Sequence, residues 1–155
     1  MFTKIKVIGV GGSGLNAVTR MKKIGLEGVE LIAINTDEQD LKKSKADLKL
    51  RIGRKLTQGL GSGMNPEIGR KSAEENREEI KGALNGAEMV FIACGLGGGT
   101  GSGASGVITE ISKNLGILTV AVVTMPFSFE GAERKKVAEA ALENLKGKAD
   151  SLLII

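Results

Sequence analysis

Residues 89–105 read MVFIACGLGGGTGSGAS, an apolar run followed directly by a glycine-rich turn. An apolar run of this length without alternation is typical of a strand buried on both faces of a parallel sheet. Glycine loses more conformational entropy on folding than any other residue, so this many glycines indicate that the backbone must approach something closely. The stretch therefore predicts a strand-to-helix turn that wraps an oligophosphate with backbone N–H groups, to which Thr100 and Ser102 add hydroxyls.

The rest of the chain repeats this alternation of strand and helix. Apolar runs rich in β-branched residues occupy 5–10, 29–35, 48–52, 87–94, 117–124 and 151–155, and stretches with helical spacing occupy 16–23, 66–84, 102–115 and 132–146. Asn65 is a favourable N-cap and Pro66 a favourable first residue for the second of these helices. The pattern predicts one three-layer, Rossmann-like α/β domain with a mainly parallel six-stranded sheet and helices on both faces.

Two further glycine-rich segments follow strands, at 9–16 and 53–65. Ligands bind beyond the carboxyl ends of the strands in an open parallel sheet, so these segments and the turn at 95–103 predict a single ligand-binding edge. Gly9–Gly14 fits the G-x-G-x-x-G pattern of NAD-binding folds, with Asp37 as ribose partner, so an NAD-dependent oxidoreductase is one interpretation. One glycine loop satisfies a single pyrophosphate, however, and the additional loops favour the longer tail of a nucleoside triphosphate.

The composition excludes several kinds of site. Histidine is absent, so no imidazole of this chain can act as a base or a metal ligand. The one cysteine, Cys94, can form neither an internal disulfide nor a cysteine zinc site, and we expect it to be a buried apolar side chain. No run approaches the ~18 to 20 apolar residues of a membrane helix, so we expect no transmembrane segment and a cytoplasmic protein. The chain lacks Trp and Tyr, and Asp47 interrupts its lysine-rich stretch, so we expect no nucleic-acid partner.

The sequence GGGTGSG at 97–103 resembles the phosphate-binding signature G-G-G-T-G-[ST]-G of the tubulin/FtsZ family, in particular of its FtsZ branch. The resemblance continues in the same order through GVGGSGLNAV, AINTDEQ, GRKLTQGLGSGMNPEIGRKSAEE and TVAVVTMPFSFEGAERKK, and it covers essentially the whole chain. It implies a domain that binds GTP or GDP, with Mg²⁺ accompanying GTP and held mainly by phosphates and water. It also implies a cytoplasmic filament at the division site, in which FtsZ subunits polymerise head-to-tail and hydrolyse GTP at their junctions.

The resemblance also implies roles for individual residues. The implied nucleotide contacts are Gly11, Gly12, Ser13, Gly14 and Asn16 in the first loop, Ser62, Gly63, Met64 and Asn65 near the terminal phosphate, Gly97, Gly98, Gly99, Thr100, Gly101, Ser102 and Gly103 around the phosphates, and Glu130 and Arg134 at the ribose. Asn35 and Asp37 match the segment behind the phosphates. Glu130 supplies acceptors for ribose hydroxyls and Arg134 a forked donor, which suits that role. No catalytic residue and no metal ligand is implied within the chain.

Departures from the family pattern lead to further expectations. After the signature the family usually continues with a small residue and then proline, whereas this chain reads ASGV, with Ser105 and Gly106. We expect Gly106 to loosen the first turn of its helix by up to ~1 kcal/mol. The sequence stops at Ile155, ahead of the family's central helix, C-terminal domain and acidic loop, so we expect residues 1–155 to bind nucleotide but to hydrolyse it negligibly. The run at 151–155 is expected to be a strand suited to burial on both faces but left uncovered, which predicts self-association. A nucleotide-free module that caps filaments is a third interpretation.

Overall fold

The computed structural model describes residues 3–155, in which strands and helices alternate along the chain. The strands are β1 (Ile5–Val10), β2 (Val29–Asn35), β3 (Leu48–Arg51), β4 (Met89–Gly95), β5 (Leu118–Thr124) and β6 (Ser151–Ile154). They form one sheet in the order β3-β2-β1-β4-β5-β6, and every neighbouring pair is parallel. The predicted six-stranded α/β sheet is confirmed.

Helices cover both faces of this sheet. They are α1 (Gly11–Ile24), α2 (Glu38–Lys43), α3 (Arg54–Thr57), α4 (Pro66–Glu75), α5 (Arg77–Leu84), α6 (Gly99–Asn114) and α7 (Ala132–Lys146). Successive residues of a strand point to opposite faces. Val7 accordingly packs with Val18 of α1, whereas Ile8 belongs to the larger core that includes Ile108 of α6. The sheet therefore lies between two layers of helices, which is the predicted three-layer arrangement.

The sheet order places β1 at the centre. From there the chain moves outward in one direction through β2 and β3, and in the other direction through β4, β5 and β6. The connections after β1 and β4 therefore leave on opposite faces, and such a reversal opens a crevice beyond the carboxyl ends of the two strands. The glycine-rich stretches at 9–14 and 95–103 meet at this reversal, on the edge that the sequence predicts for the ligand.

Two helices begin earlier than predicted. α1 begins at Gly11 rather than Asn16, and α6 begins at Gly99 rather than Ser102, so most of each expected loop is helical. Gly11 has a φ of 75°, which lets the chain change direction within one residue at the end of β1. The glycines thus shorten the connection between strand and helix and bring the helix start directly to the crevice.

The helix predicted over 66–84 is instead two helices that meet at Asn76. Its beginning is confirmed, because Asn65 Oδ1 accepts from the Glu67 N–H at 3.0 Å and Pro66 is the first helical residue. At the break, Asn76 leaves the helical region and its Oδ1 accepts from the Gly53 N–H at 2.7 Å. This hydrogen bond holds the Asn76 side chain at the break. The hydrogen bond between Asn76 and Gly53 therefore links the end of α4 to the start of α3.

Glycines let α6 approach its neighbouring helices closely. A Cβ on Gly103 would collide with the carbonyl oxygen of Pro66, and a Cβ on Gly69 would collide with that of Gly99, so α4 and α6 pack backbone against backbone. Gly106 is the eighth residue of α6, and the expectation that it loosens the first turn is therefore wrong. It instead makes room for the Asn144 side chain of α7.

Cys94 is a buried apolar side chain, as predicted. It lies on β4 and is 4% exposed. Burial raises the pKa of its thiol to about 12, which keeps the reactive thiolate form scarce at neutral pH. The structure thus gives this cysteine a packing role.

The last strand is left uncovered, as predicted. Leu153 of β6 is 51% and Ile154 is 55% exposed. β6 lies at the edge of the sheet, and α1 packs against β1, β2 and β4 rather than against β6.

Between residues 3 and 155, no helix is both long enough and apolar enough to cross a membrane.

Candidate functional site

A cavity of about 880 Å³ opens at the carboxyl edge of the sheet. Its wall contains residues that end or follow four adjacent strands, within 10–13 after β1, 35–40 after β2, 95–101 after β4 and 124–127 after β5, and it is completed by 60–64 and the start of α7. Pockets for small molecules typically measure ~300 to 1,000 Å³. The cavity therefore has the size and the place of a ligand site in a parallel sheet.

Two helix starts on the cavity wall have no side-chain cap. α1 and α6 follow Val10 and Gly98, neither of which caps through its side chain, and neither helix has an acid in its first turn. By contrast, α4 beside them is capped by Asn65 and carries an acid, Glu67, in its first turn. The free N–H groups and positive ends of α1 and α6 therefore remain available to an anion.

The two helix starts are also close to each other. A Cβ on Gly11 would lie 3.1 Å from the amide nitrogen of Gly101. Only glycine allows this approach together with the positive φ at position 11. The arrangement concentrates backbone donors from two helices on one small part of the wall.

The segment 58–64, which borders the cavity, has an unusual backbone. Five of its seven residues have positive φ, namely Gln58, Gly59, Gly61, Gly63 and Met64. Non-glycine residues rarely adopt this conformation, so Gln58 and Met64 carry local strain. A β-bridge between Leu60 and Asp37 ties the segment to the end of β2, and Asp37 also caps α2 by accepting from the Asp40 N–H at 3.0 Å.

Glu130 and Arg134 stand together at the other end of the cavity. Glu130 Oε1 accepts from Arg134 Nη1 at 3.0 Å, and Glu130 Oε2 accepts from the Phe127 N–H at 2.6 Å. Arg134 Nε is buried and has no hydrogen-bond partner in the described part of the chain. A buried donor without an acceptor is costly, so this nitrogen fits a ligand that brings an acceptor.

Most of the residues predicted to contact nucleotide line the cavity. They are Gly11, Gly12, Ser13, Ser62, Gly63, Met64, Gly98, Gly99, Thr100, Gly101, Glu130 and Arg134. The structure brings together in this way four segments that are far apart in the sequence.

The other predicted contacts lie off the cavity wall. Gly14 packs against the carbonyl of Ala93, and Asn16 is exposed on α1, where the earlier helix start places it. Asn65 caps α4 and Gly103 lies against Pro66, while Ser102 Oγ accepts from the Gly97 N–H at 2.7 Å. Direct contact of these six residues with a ligand stays a prediction.

Several wall residues had not been singled out from the sequence. They include Thr36, Asp40, Leu60, Leu96 and the stretch 124–127. Thr36 could have been found from its position, because it directly follows β2 at the carboxyl edge of the sheet. Leu60 offered no such signal, because the bridge to Asp37 that positions it joins residues far apart in the chain.

Comparisons with known proteins agree with this geometry. The tubulin/FtsZ family, GTPase domain, matches residues 4–155. The chain is 55% identical over 152 residues to cell division protein FtsZ 1 of Thermococcus kodakarensis. This match covers 98% of this chain and 41% of that protein. A solved FtsZ dimer of M. jannaschii is similar with a TM-score of 0.98 and 55% identity, over 100% of this chain and 45% of that one. A GTPγS-bound protofilament of CetZ2 from Haloferax volcanii is similar with a TM-score of 0.86 and 29% identity, and the match covers 99% of this chain and 49% of that one. The chain thus spans less than half the length of each of these relatives.

Proposed function

Because the chain belongs to the tubulin/FtsZ family of GTPases, we propose that its cavity binds a guanine nucleotide, GTP or GDP. The observation that carries this proposal is the meeting of two uncapped helix starts, at Gly11 and Gly99, on one cavity wall. Free backbone N–H groups and positive helix ends favour phosphates at that place. Two such starts suit a chain of phosphates better than they suit the single pyrophosphate of NAD.

The nucleoside end of the ligand is proposed to lie beside Glu130 and Arg134. The Glu130 carboxylate can accept from ribose hydroxyls, and the unpartnered Arg134 Nε can donate to an oxygen of the ligand. These side chains are next to the end of β5, whereas the segment 58–64 is bridged to the end of β2. The phosphates would then run across the start of α6 toward 58–64.

We further propose that Mg²⁺ accompanies GTP. Asp37 and Asp40 place carboxylates on the cavity wall. Among residues 3–155, however, no group of three or more acidic, thiol or imidazole side chains could hold a metal ion. This donor set fits Mg²⁺, which commonly takes most of its ligands from phosphate and water and only one or two from carboxylates. When bound, the ion would neutralise part of the phosphate charge.

Assembly through the nucleotide edge is supported by exposed apolar side chains at the mouth of the cavity. Leu60 is 85% exposed and Phe127 is 69% exposed, and the ring of Phe127 stacks on that of Phe129 at 5.4 Å. Exposed apolar side chains around a cavity mouth are typical of protein interaction sites. We propose that the next subunit covers this rim head-to-tail, in a cytoplasmic filament of cell division. The names of the Thermococcus relative and of the Haloferax protofilament support this assignment.

Hydrolysis is proposed to require a group from that next subunit. The chain has no histidine, and two of the cavity carboxylates are already engaged within the fold. Glu130 accepts from Phe127 and Arg134, and Asp37 accepts from the Asp40 N–H. A positioned water and its base would therefore be completed in the filament, and the 155-residue chain alone should turn GTP over negligibly.

Calorimetric titration of the purified chain with GTP, GDP and NADH tests the proposal. We expect one site that binds GTP and GDP and shows no saturable heat with NADH, and phosphate release close to the uncatalysed rate. Binding of NADH without GTP would favour the oxidoreductase interpretation. Binding of none of the three would favour the nucleotide-free capping module.

We also propose that copies of the 155-residue chain pair through β6. Its exposed apolar side chains and open edge form a template for strand addition. The Leu153→Lys variant should shift the chain to the monomer in concentration-dependent sizing. Leu118→Lys is the matched control, because Leu118 is equally exposed at 50% but lies on an inner strand, and it should leave association unchanged. An unaltered chain that stays monomeric at high concentration would contradict this proposal.

A further inference from the structure

The positive charge of the chain is concentrated in the segment 42–55. This segment contains seven lysines and arginines but one acid, Asp47, so its net charge is +6, whereas that of the whole chain is +4. The acid is engaged, because Asp47 Oδ1 accepts from Lys22 Nζ at 2.7 Å and Asp47 Oδ2 accepts from the Leu31 N–H at 2.9 Å. The wall of the cavity at the carboxyl edge includes no residue of this segment. Its charge is therefore available to another partner.

Part of this segment borders a second depression in the surface, an open groove of about 440 Å³. We call it the basic groove, and it is lined by the cations Lys42, Lys49, Arg51 and Arg54 together with Glu38 and Leu41. Glu38 partly neutralises two of these cations, because its carboxylate lies 3.8 Å from Lys42 Nζ and 3.1 Å from Arg51 Nη1. Lys49 and Arg54 have no carboxylate partner in the described part of the chain. The basic groove thus keeps an excess of positive charge.

One of these cations also lacks a hydrogen-bond acceptor. Arg51 Nε is buried, and within residues 3–155 it has no hydrogen-bond partner. A buried donor without an acceptor is costly, so this nitrogen fits a partner that brings an oxygen. The excess charge and the free donor both indicate that the basic groove receives carboxylates or other anions.

The basic groove borders an open strand edge. Among the described residues, β3 is the last strand on its side of the sheet and pairs with β2. The free side of an edge strand presents N–H and C=O groups to which a further strand can bond. Alternate residues of a strand point to the same face, so Lys49 and Arg51 both line the basic groove. Leu48 and Leu50 point to the opposite face, where Leu48 stays 39% exposed.

We propose that an extended acidic segment of a partner protein adds to the sheet beside β3. Main-chain hydrogen bonds to an edge strand give such complexes their affinity, and alternate side chains give them their specificity. Acids at every second position of the partner would lie beside Lys49 and Arg51, and one of them would supply the acceptor that Arg51 Nε lacks. The intervening positions would lie on the side of Leu48 and suit apolar side chains. The surface therefore fits a strand in which acids alternate with apolar residues.

The same charges disfavour a second copy of this chain as the occupant. If β3 paired with β3 of another molecule, lysines and arginines would face each other across the new strand pair, and like charges in that arrangement are destabilising. Lysines on edge strands are one of the features by which proteins avoid such self-pairing. By contrast, β6 at the opposite edge has the sequence SLLI and no charge. The proposal for β3 is independent of the nucleotide.

Fluorescence anisotropy with labelled peptides tests the proposal on the full 155-residue chain. The probe is a ten-residue peptide in which glutamate alternates with valine, and its control joins a block of the same glutamates to a block of the same valines. The alternating peptide should bind about ten-fold more tightly. Lys49→Glu should weaken its binding about ten-fold, because a like charge then faces the acids. Lys81→Glu is the matched control, since Lys81 is an exposed lysine of α5 outside the basic groove, and it should leave binding within about two-fold.

Methylated peptides separate strand pairing from charge attraction alone. In an added strand, the N–H groups of every second residue point toward β3. Methylating the nitrogens of either the glutamates or the valines should therefore weaken binding about ten-fold in one peptide and leave the other within about three-fold. Equal effects of the two methylations would overturn the proposal, and this comparison needs no variant of the chain.

Other occupants of the basic groove would give different results. Equal binding of the block peptide, or of an oligothymidylate of the same charge, would overturn the proposal, because the surface would then take any anion. A Lys49→Glu variant that sediments as a smaller species than the unaltered chain would show that a second copy fills the basic groove, and it would overturn the choice of partner. Each of these outcomes leaves the proposed nucleotide site untouched.

Discussion

Replacing Gly103 with alanine should lower the free energy of unfolding by about 2 kcal/mol or more, although alanine is the better helix former. The added Cβ would collide with the carbonyl oxygen of Pro66 and lie 2.7 Å from the amide nitrogen of Arg70. Both are backbone atoms, so α4 as a whole would have to move away from α6. Overpacking typically costs ~1 to 3 kcal/mol, and a clash with two backbone atoms places this site at the upper end of that range. Subtracting a gain of up to ~1 kcal/mol in helix propensity leaves a net loss of about 2 kcal/mol.

Gly82→Ala is the matched control for this stability measurement. Gly82 is also inside a helix, but a Cβ at this position would meet nothing within 4 Å. Alanine there should raise stability by ~0.5 to 1 kcal/mol. Thermal unfolding should therefore show Tm shifts of opposite sign, with a fall of roughly 4 to 8 °C for Gly103→Ala. A Gly103→Ala variant as stable as the unaltered chain would contradict the backbone contact between α4 and α6.

Replacing Gly98 with aspartate should abolish most nucleotide binding while slightly stabilising the fold. Gly98 is the N-cap of α6, with φ −88° and ψ 173°, and a Cβ there meets nothing within 4 Å. Aspartate in this conformation caps the free N–H groups of the helix, which should add a few tenths of a kcal/mol relative to glycine. The same carboxylate occupies the donors and places a negative charge where the phosphates are proposed to bind. Affinity for GTP should fall about 100-fold or more.

Two neutral variants at the same position separate the causes of this loss. Gly98→Ala leaves the helix start uncapped and uncharged, so GTP affinity should stay within about three-fold. Gly98→Asn caps without charge and should give an intermediate loss. Calorimetric titration with GTP, together with thermal unfolding, checks both parts of the prediction. An aspartate variant that binds GTP as tightly as the unaltered chain would show that the start of α6 does not hold the phosphates.

Much of the architecture could be predicted because its causes are local. Continuous apolar runs predicted the strands, and the pair Asn65–Pro66 predicted where α4 begins. The clustering of glycines after strands predicted the edge that carries the cavity. Twelve of the eighteen residues implied for nucleotide contact line that cavity, and seven of them belong to the helix starts at 11–13 and 98–101, which lie where β1 and β4 end.

The remaining features depend on contacts between distant residues. Helix propensity argues against starting helices at Gly11 and Gly99, yet the short connections from β1 and β4 override it. The break at Asn76 depends on the Gly53 N–H, 23 residues away. On the cavity wall, the Thr100 hydroxyl is hydrogen-bonded to those of Ser62 and Thr36, which are 38 and 64 residues away. No local pattern in the sequence reports such pairs.

The donors on the cavity wall have a consequence for how long the protein survives in a cell. Bare helix starts and the unpartnered Arg134 Nε are satisfied best when a ligand is bound, so a bound ligand stabilises the folded chain, and the gain grows with the logarithm of the ligand concentration. A ligand at 100 times its Kd adds about 2.7 kcal/mol to the free energy of unfolding. Proteases act on the unfolded fraction, so cellular abundance should follow the supply of the ligand. When that ligand is scarce, degradation would lower the amount of the protein, in addition to leaving its binding site empty.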